Sequence, residues 1–319
     1  MAIVNKADLI ASAVKFQPEL KLLPFIAFSE LGKQNGFFVK KGVYGTEKIV
    51  SLDLAGRMRP YHTGGPDELD MTFVVNEITT YLGEDYTLFE IAQLIDTLWG
   101  LGTIDFKKLS NSEIGKKMLA VRINRNLEDI RKNIWKGVRN SAGTTTLALF
   151  NGFDTIIDAG VTAEKISVAN GNLSTFDAAI TADNAVDKFK AAYRALPEEL
   201  KEGVINMYVN QTLYEHYCDD YEVLRGNLHD KKLGQVVLHG SDDKCIIKPQ
   251  SYREATAPVI FSIPNNLTIG TGSQGEKEKV VVKEDNNVKF MQMLHMMFFG
   301  TTIQCYDKRV FHVYKQFAG

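Results

Sequence analysis

The sequence predicts an α+β fold in which one long ribbon and one long helix precede a strand-rich final third. Three observations predict it. Residues 110–140 carry an apolar stripe at helical spacing, with Ile114, Met118, Val121, Ile130, Ile134 and Val138 on one side. Two runs rich in β-branched and aromatic residues, VYGTEKIVSLDL and LDMTFVVNEITTYL, flank the turn HTGGPDE. From Leu233 onward short apolar runs follow one another at turn spacing, from QVVLHG to TTIQCYDKRVFHVYKQF.

The chain has 319 residues, 45% of them hydrophobic, which suits one large domain or two to three smaller ones around a substantial core. Its formal net charge of −2 excludes a nucleic-acid binder that works by bulk charge, so any such role needs a local basic surface. The three cysteines, Cys218, Cys245 and Cys305, show no CxxC spacing, which predicts a reducing compartment and no disulfide framework. Asp8 interrupts any apolar core near the N-terminus, so no signal peptide is predicted. The apolar runs at 22–28 and 296–299 are far short of a membrane span. The expectation is a soluble protein made in a cytoplasm, with no membrane partner. The Asn-x-Ser/Thr triplets at Asn172, Asn210 and Asn266 then carry no meaning for glycosylation.

Taken in order, residues 1–31 read as an arm without a core. A brief amphipathic turn around Leu9, Ile10 and Val14 is followed by Pro18 and Pro24, which keep the segment from forming one helix. Residues 36–86 read as one long β-ribbon. A two-stranded ribbon is marginal alone, so it must lie on something. A helical piece is expected at 88–99. In the long helix Ser110 and Glu113 form a capping box and Gly143 suits the exit. About 30 residues at roughly 1.5 Å each make it near 45 Å long. Its cations are Lys116, Lys117, Arg122, Arg125, Arg131, Lys132, Lys136 and Arg139, against Glu113, Glu128 and Asp129, a net of +5 in a chain of net −2. A solvated helix face would account for them equally.

Residues 144–181 read as short strands and turns around NGFDTIIDAG. A second amphipathic helix at 183–194 buries Val186, Phe189 and Tyr193 and stops at Pro197. An apolar strand at 204–209 then feeds a helix capped by Asn210, with Leu213, Tyr217 and Leu224 as its inner stripe. The charge cluster GEKEKVVVKEDNN reads as an exposed hairpin edge.

Sites for chemistry are thin. His216 and Asp220 lie at i, i+4, a spacing that can hold a metal, but no second ligand pair accompanies them and packing of Tyr214, Tyr217 and Tyr221 explains the helix better. GTGSQGEK has the glycines of a phosphate loop without its GK[ST] ending or a following helix, so it reads as a turn. No GxSxG, HExxH or paired-carboxylate motif occurs, and His62, His239, His295 and His312 are scattered singly. The Asn210 junction has no glycine to let a phosphate approach its backbone, so it reads as architecture. Catalytic, cofactor-binding and metal-ligating residues are therefore expected to be absent.

The order of parts carries more than any motif. An arm, a long ribbon, a long basic helix, an α/β region and a closing set of strands resembles the major capsid proteins of tailed bacteriophages. NAVDKFKAAYRALPEELKEGVINMYVNQTLYEHYCDDYEVLRGN is similar to the helix, linker, buried strand, polar cap and helix of that family's axial domain. IFSIPNNLTIGTG followed by KVVVKEDNNVKFMQMLHMMFFGTTI resembles its late strand, surface turn and return strand. The resemblance implies an arm at 1–31, an extended loop at 32–86, a peripheral domain at 87–181 with a spine helix at about 110–140, an axial domain at 182–290, and return strands at 291–319.

It further implies a subunit that is not an enzyme and that assembles, as hexamers and pentamers, into an icosahedral shell around packaged double-stranded DNA. The shell belongs to a virion and is assembled in the host cytoplasm. A portal is implied, a decoration protein is compatible, and, because no scaffolding region precedes the arm in this sequence, either a separate scaffolding protein or a further upstream segment is expected. The basic helix would face the DNA without reading its sequence. The ribbon tip, with Arg57, Arg59 and His62 before Gly64 and Gly65 and with Asp67 and Glu68 after them, would dock on a neighbour. The family's lysine–asparagine crosslink is not carried over, because Lys40, Lys41 and Lys48 lie well before the turn and no acceptor matches. An encapsulin-type compartment shell and a cytosolic α+β enzyme are the alternatives.

Overall fold

The computed structural model describes residues 6–54, 71–90, 111–226, 231–232, 235–273, 275–286 and 290–317. Two helices open the chain, α1 (Lys6–Lys15) and α2 (Gln17–Asn35). Strands β1 (Phe38–Lys41), β2 (Thr46–Leu54), β3 (Met71–Thr79) and β4 (Tyr81–Glu90) follow, then the long helix α3 (Asn111–Asn133) and helix α4 (Phe153–Thr162). Next come β5 (Leu173–Thr175), α5 (Ala185–Arg194), α6 (Glu198–Glu202), β6 (Ile205–Asn210) and α7 (Gln211–Arg225). The rest is strand: β7 (Lys231–Lys232), β8 (Gln235–Val236), β9 (Cys245–Gln250), β10 (Val259–Ser262), β11 (Leu267–Thr271), β12 (Lys279–Glu284), β13 (Phe290–Ile303) and β14 (Phe311–Lys315).

The first sheet is organised by β13. One edge pairs with β4 from Phe290 to Phe299, and the other pairs first with β12 and then with β11, outside which β1 lies parallel. One face of this sheet carries a core. Helix α3 turns Ile114, Met118, Leu119, Ile123, Leu127 and Ile130 into a cluster with Ile134 just after it and with Met291, Met293, Met297 and Phe299, joined by Leu9, Leu20 and Phe28 of the first two helices. Each such buried side chain contributes about 1.5–3 kcal/mol of hydrophobic burial.

The second sheet, ordered β5-β14-β10-β6-β9, is a wall between two cores. Along β6 every residue is buried: Ile205, Met207 and Val209 enter a second cluster with α5 and α7, while Tyr208 enters the first. That two-sided burial is why the strand reads as an unbroken apolar run rather than an alternation.

The two cores are fastened at one place. Phe37, Trp135, Phe153 and Tyr208 form an aromatic cluster with ring centroids 5.2–6.0 Å apart. Arg253, with a side chain of zero exposure, lies 4.6 Å over the Trp135 ring, donates to both oxygens of Asp154 at 2.6–3.1 Å, and reaches the Tyr208 carbonyl at 2.9 Å. The C-terminal end of α2 plugs into the same region. Its last carbonyls accept from the Tyr208 hydroxyl and from Lys248 Nζ, both at 2.8 Å, and Gly36 closes the helix at φ +74° against Asn206, where a side chain would clash. A lysine at a helix C-terminus meets the negative end of the dipole, which offsets part of the burial that pushes the Lys248 pKa down.

Several elements differ from the reading of the sequence. The segment read as an arm at 1–31 is helical from Lys6 and buries Leu9, Leu20 and Phe28 completely. Pro18 sits in the first turn of α2, where no N–H partner is lost, and Pro24 is accommodated inside it. The ribbon is confined to β2 and β3, because β4 leaves it to pair along β13, so residues 88–90 are strand and not helix; 91–99 and Ser110 lie outside the described residues. The long helix ends at Asn133, and 153–162 is a helix where strands were expected. In α7 the buried apolar residues are Leu213, Tyr217 and Tyr221, with Leu224 56% exposed. Strands β11 and β12, expected in the axial part, pair in the first sheet, whereas β14, expected to return there, pairs with β10 and β5 in the second.

Candidate functional site

The first feature that bears on assembly is the root of the ribbon. Strands β2 and β3 pair over nine residues, from Thr46 with Thr79 to Leu54 with Met71. The chain between β3 and β4 crosses the face of the first sheet opposite α3, over the cross-strand glycine pair Gly270 and Gly300. A Cβ on Gly300 would overlap the Thr79 carbonyl, so only glycine lets the two backbones approach. Three side chains secure the crossing. Thr80 Oγ1 donates to the Val43 carbonyl at 2.9 Å, Thr302 Oγ1 to the Glu77 carbonyl at 2.8 Å, and Asn76 Nδ2 to the Gln304 carbonyl at 2.6 Å. The tip residues Arg57, Arg59, His62, Asp67 and Glu68 lie outside the described residues.

The second feature is α3 with the stretch after it through Arg139, whose cations fall into two groups. Lys116 pairs with Glu19 and lies 4.9 Å over the Phe16 ring; Arg125 pairs with Glu128 and Lys132 with Asp129 at 3.0 and 3.2 Å. Arg122 makes a bidentate pair with Asp85 of β4 at 3.0 and 3.1 Å, and Arg139 stacks 4.5 Å over Tyr81 while donating to the Ala148 and Leu149 carbonyls. These five are spent inside the chain. Lys117, Arg131 and Lys136 are exposed and make no ion pair among the described residues.

Under α3 the Asp85 carboxylate also accepts from Asn126 Nδ2 at 2.7 Å, and that nitrogen lies 3.4 Å from His295 Nδ1 on β13. Burial pushes the His295 pKa down to about 4, against a smaller upward pull from Asp85. The linkage follows directly. Between pH 6.5 and about 4 the unfolded chain binds a proton that the folded imidazole refuses, so stability is lost as pH falls through that window and levels off below it. At about 1.4 kcal/mol per pH unit the full loss is about 3 kcal/mol. His312, also held down to about 4 by burial, adds a second proton. His295→Gln should therefore shrink, by about half of the histidine part, the stability difference between urea unfolding at pH 7 and at pH 4.5. An unchanged difference would contradict the assignment.

The positions weighed for chemistry are occupied by structure. Asn210 Oδ1 caps α7 by accepting from Leu213 N at 2.7 Å, and its Nδ2 donates to the Glu254 and Ala255 carbonyls. Asp220 accepts from Val186 N at the start of α5, at 2.7 Å, which separates it in role from His216. The glycines of GTGSQGEK enclose the buried Glu278, whose carboxylate accepts from the Gly275 and Phe298 amides at 2.9 and 3.3 Å, so the loop binds its own anion. Among the described residues no group of three or more His, Cys, Asp or Glu could hold a metal ion, and no helix is long and apolar enough to cross a membrane. What the sequence reading missed is a pair of exposed apolar residues on β4, Tyr86 and Leu88, concealed because 84–90 fits a helical period as well as a strand period.

Comparison with solved structures supplies the fold. A chain from the satellite phage P4 procapsid, in a structure including the size determination (Sid) protein, matches with TM-score 0.56 at 11% identity, over 91% of this chain and 98% of that one. A chain from the capsid of the native GTA particle matches with TM-score 0.54 at 14% identity, over 90% of each. The corresponding chain from the empty GTA particle matches with TM-score 0.51 at 14% identity, again over 90% of each. No family model matches the sequence, and no curated protein matches it. The α+β architecture of this chain is thus the fold of subunits that build capsid particles.

Proposed function

We propose that this chain is the major capsid protein of a tailed bacteriophage, a structural subunit that assembles into an icosahedral shell around DNA. The observation that carries the reading is a fold shared with shell subunits over nine-tenths of the chain, together with a ribbon that leaves both cores. Hexamers and pentamers, a portal and a separate scaffolding protein complete the reading, and the mature location is the virion. The ribbon tip, including Arg57, Arg59, His62, Asp67 and Glu68, docks on an adjacent subunit. Size-exclusion chromatography with negative-stain microscopy of the full chain tests this. Closed shells are expected; a monodisperse monomer would sink the reading, and shells loaded with protein in place of DNA would favour a compartment.

The exposed cations of α3 and of the stretch just after it face the packaged DNA and offset its repulsion without reading sequence. Five of the eight cations are engaged within the subunit, so the DNA-facing set is Lys117, Arg131 and Lys136. Replacing these three by glutamine should leave empty shells intact while lowering the DNA content of filled particles, read as the ratio of absorbance at the nucleic-acid and protein maxima. Equal DNA content would remove the role. Arg122→Gln is a different experiment, because it strands Asp85 beneath the helix.

A further inference from the structure

We infer that β4 is a detachable edge strand latched to α3 through Asp85, and that a proton on His295 releases the latch. The device holds whether or not the chain builds shells. Strand β4 pairs with β13 on one side and with no described strand on the other. None of its ten residues is buried, and only Tyr81 and Phe89 pack against the margin of the first core. An edge strand with so little apolar contact belongs to the low-stability end of a fold.

What fastens its middle is polar. Asp85 receives two hydrogen bonds from Arg122, at 3.0 and 3.1 Å, and one from Asn126 Nδ2 at 2.7 Å, so one face of α3 grips one carboxylate. The cross-strand partner of Asp85 is His295, 3% exposed beneath the same helix. The bond to Asp85 fixes the Asn126 amide, because only its nitrogen can donate to a carboxylate. That nitrogen also lies 3.4 Å from His295 Nδ1, which is therefore the unprotonated, accepting nitrogen of the ring. The charged groups facing the ring are Asp85 from β4 and, behind it, Arg122 from α3; β12 sets the apolar Val280 beside it.

A proton on Nδ1 breaks this arrangement. The new N–H points at an N–H donor. Turning the Asn126 amide to present its oxygen instead removes a bond from Asp85 and sets oxygen against carboxylate. The closed site has no good place for an imidazolium, whereas a lifted β4 lets water reach it. Burial accordingly holds the pKa at about 4 in the closed site, against 6.5 for an ordinary ring. The proton thus binds the open strand better, so the latch is fully stable above pH 6.5 and weakens as pH falls toward 4. Linkage between these two values makes the open fraction at pH 5 roughly twenty times that at pH 7, and limits the gain in stronger acid to about 300-fold.

Hydrogen exchange read by mass spectrometry on the full chain, held below any concentration at which it assembles, tests this. After correction for the intrinsic pH dependence of exchange, opening of peptides within 81–90 should rise roughly twentyfold from pH 7 to pH 5, while those of β11 and β12 change less than about twofold. His295→Gln keeps an acceptor for Asn126 without the titration and should flatten that rise; His312→Gln should leave it in place. The Asp85→Asn chain, with a weaker latch at every pH, should exchange faster within 81–90 already at pH 7, and unchanged exchange there counts against the latch. A pH-independent β4, an equal rise in His295→Gln, or a rise spread evenly over the first sheet overturns the inference. Should His295→Gln fail to fold, the parent decides alone: a flat or evenly spread profile sinks the proposal, and a rise confined to β4 sustains it.

Discussion

Arg253→Leu should cost about 3–5 kcal/mol of folding stability, the largest single loss expected in this chain. The guanidinium has no solvent exposure and serves three partners that belong to different parts of the fold: Asp154 in the first turn of α4, the Tyr208 carbonyl on β6 and the Trp135 ring after α3. Leucine leaves the Asp154 carboxylate without its cation and the carbonyl without a donor. Much of the expected loss is that uncompensated charge rather than the worth of the pair itself. Arg253→Leu combined with Asp154→Leu should therefore recover part of the loss in urea unfolding. A double variant no more stable than the single one would show that the ion pair is not what fastens the two cores.

Gly300→Val should act on the ribbon root and abolish assembly. The new Cβ meets backbone, the Thr79 carbonyl and the Thr80 Cα, which cannot rotate away. The crossing must lift, and the bonds from Thr302 to Glu77 and from Asn76 to Gln304 are strained with it. A subunit loss of about 3 kcal/mol is expected for such overpacking. Gly270→Ala supplies the contrast, because there the close atoms are the methyl ends of Ile78 and Thr80, at 2.7 and 2.8 Å, which can shift. The valine variant should melt lower and yield no shells, while the alanine variant assembles. Shell yields equal to the parent for Gly300→Val would remove the crossing from the assembly mechanism.

What could be read from sequence was what is decided locally. Asn210 announced a cap because its partner, Leu213 N, is three residues away; spacing found Ile114, Met118 and Ile130 of the α3 stripe, but Val138 lies past the helix and is 55% exposed, and Leu119, Ile123 and Leu127 went unread. Pro18 and Pro24 misled because a proline's effect depends on its place in a helix, and only the packing of Leu20 and Phe28 makes that helix worth forming. The charge of α3 could be counted but not allocated, since Arg122 finds Asp85 across 37 residues. Gly270 and Gly300 gain meaning only when β11 and β13 pair, and no periodicity records that register. The fate of β14 was hidden for the same reason: its five residues suit either sheet, and its partners Val259 and Leu173 lie far back in the chain.

The docking of α2 into the second sheet has a consequence in time. The Gln34 carbonyl near its end is claimed by Lys248 and its last side chain, Asn35, by Gln250, which lie 214 and 215 residues later. At ribosomal speeds of about 5–20 residues per second, roughly ten to forty seconds separate the emergence of the helix from that of its partners. Through that interval Leu20, Phe28 and Leu31 can meet α3 but not β12 or β13, which complete the core they enter. Helix α2 is thus among the last elements to be settled, and a nascent chain cut short before β9 keeps Tyr208 as a partner for its end but lacks Lys248 and Gln250.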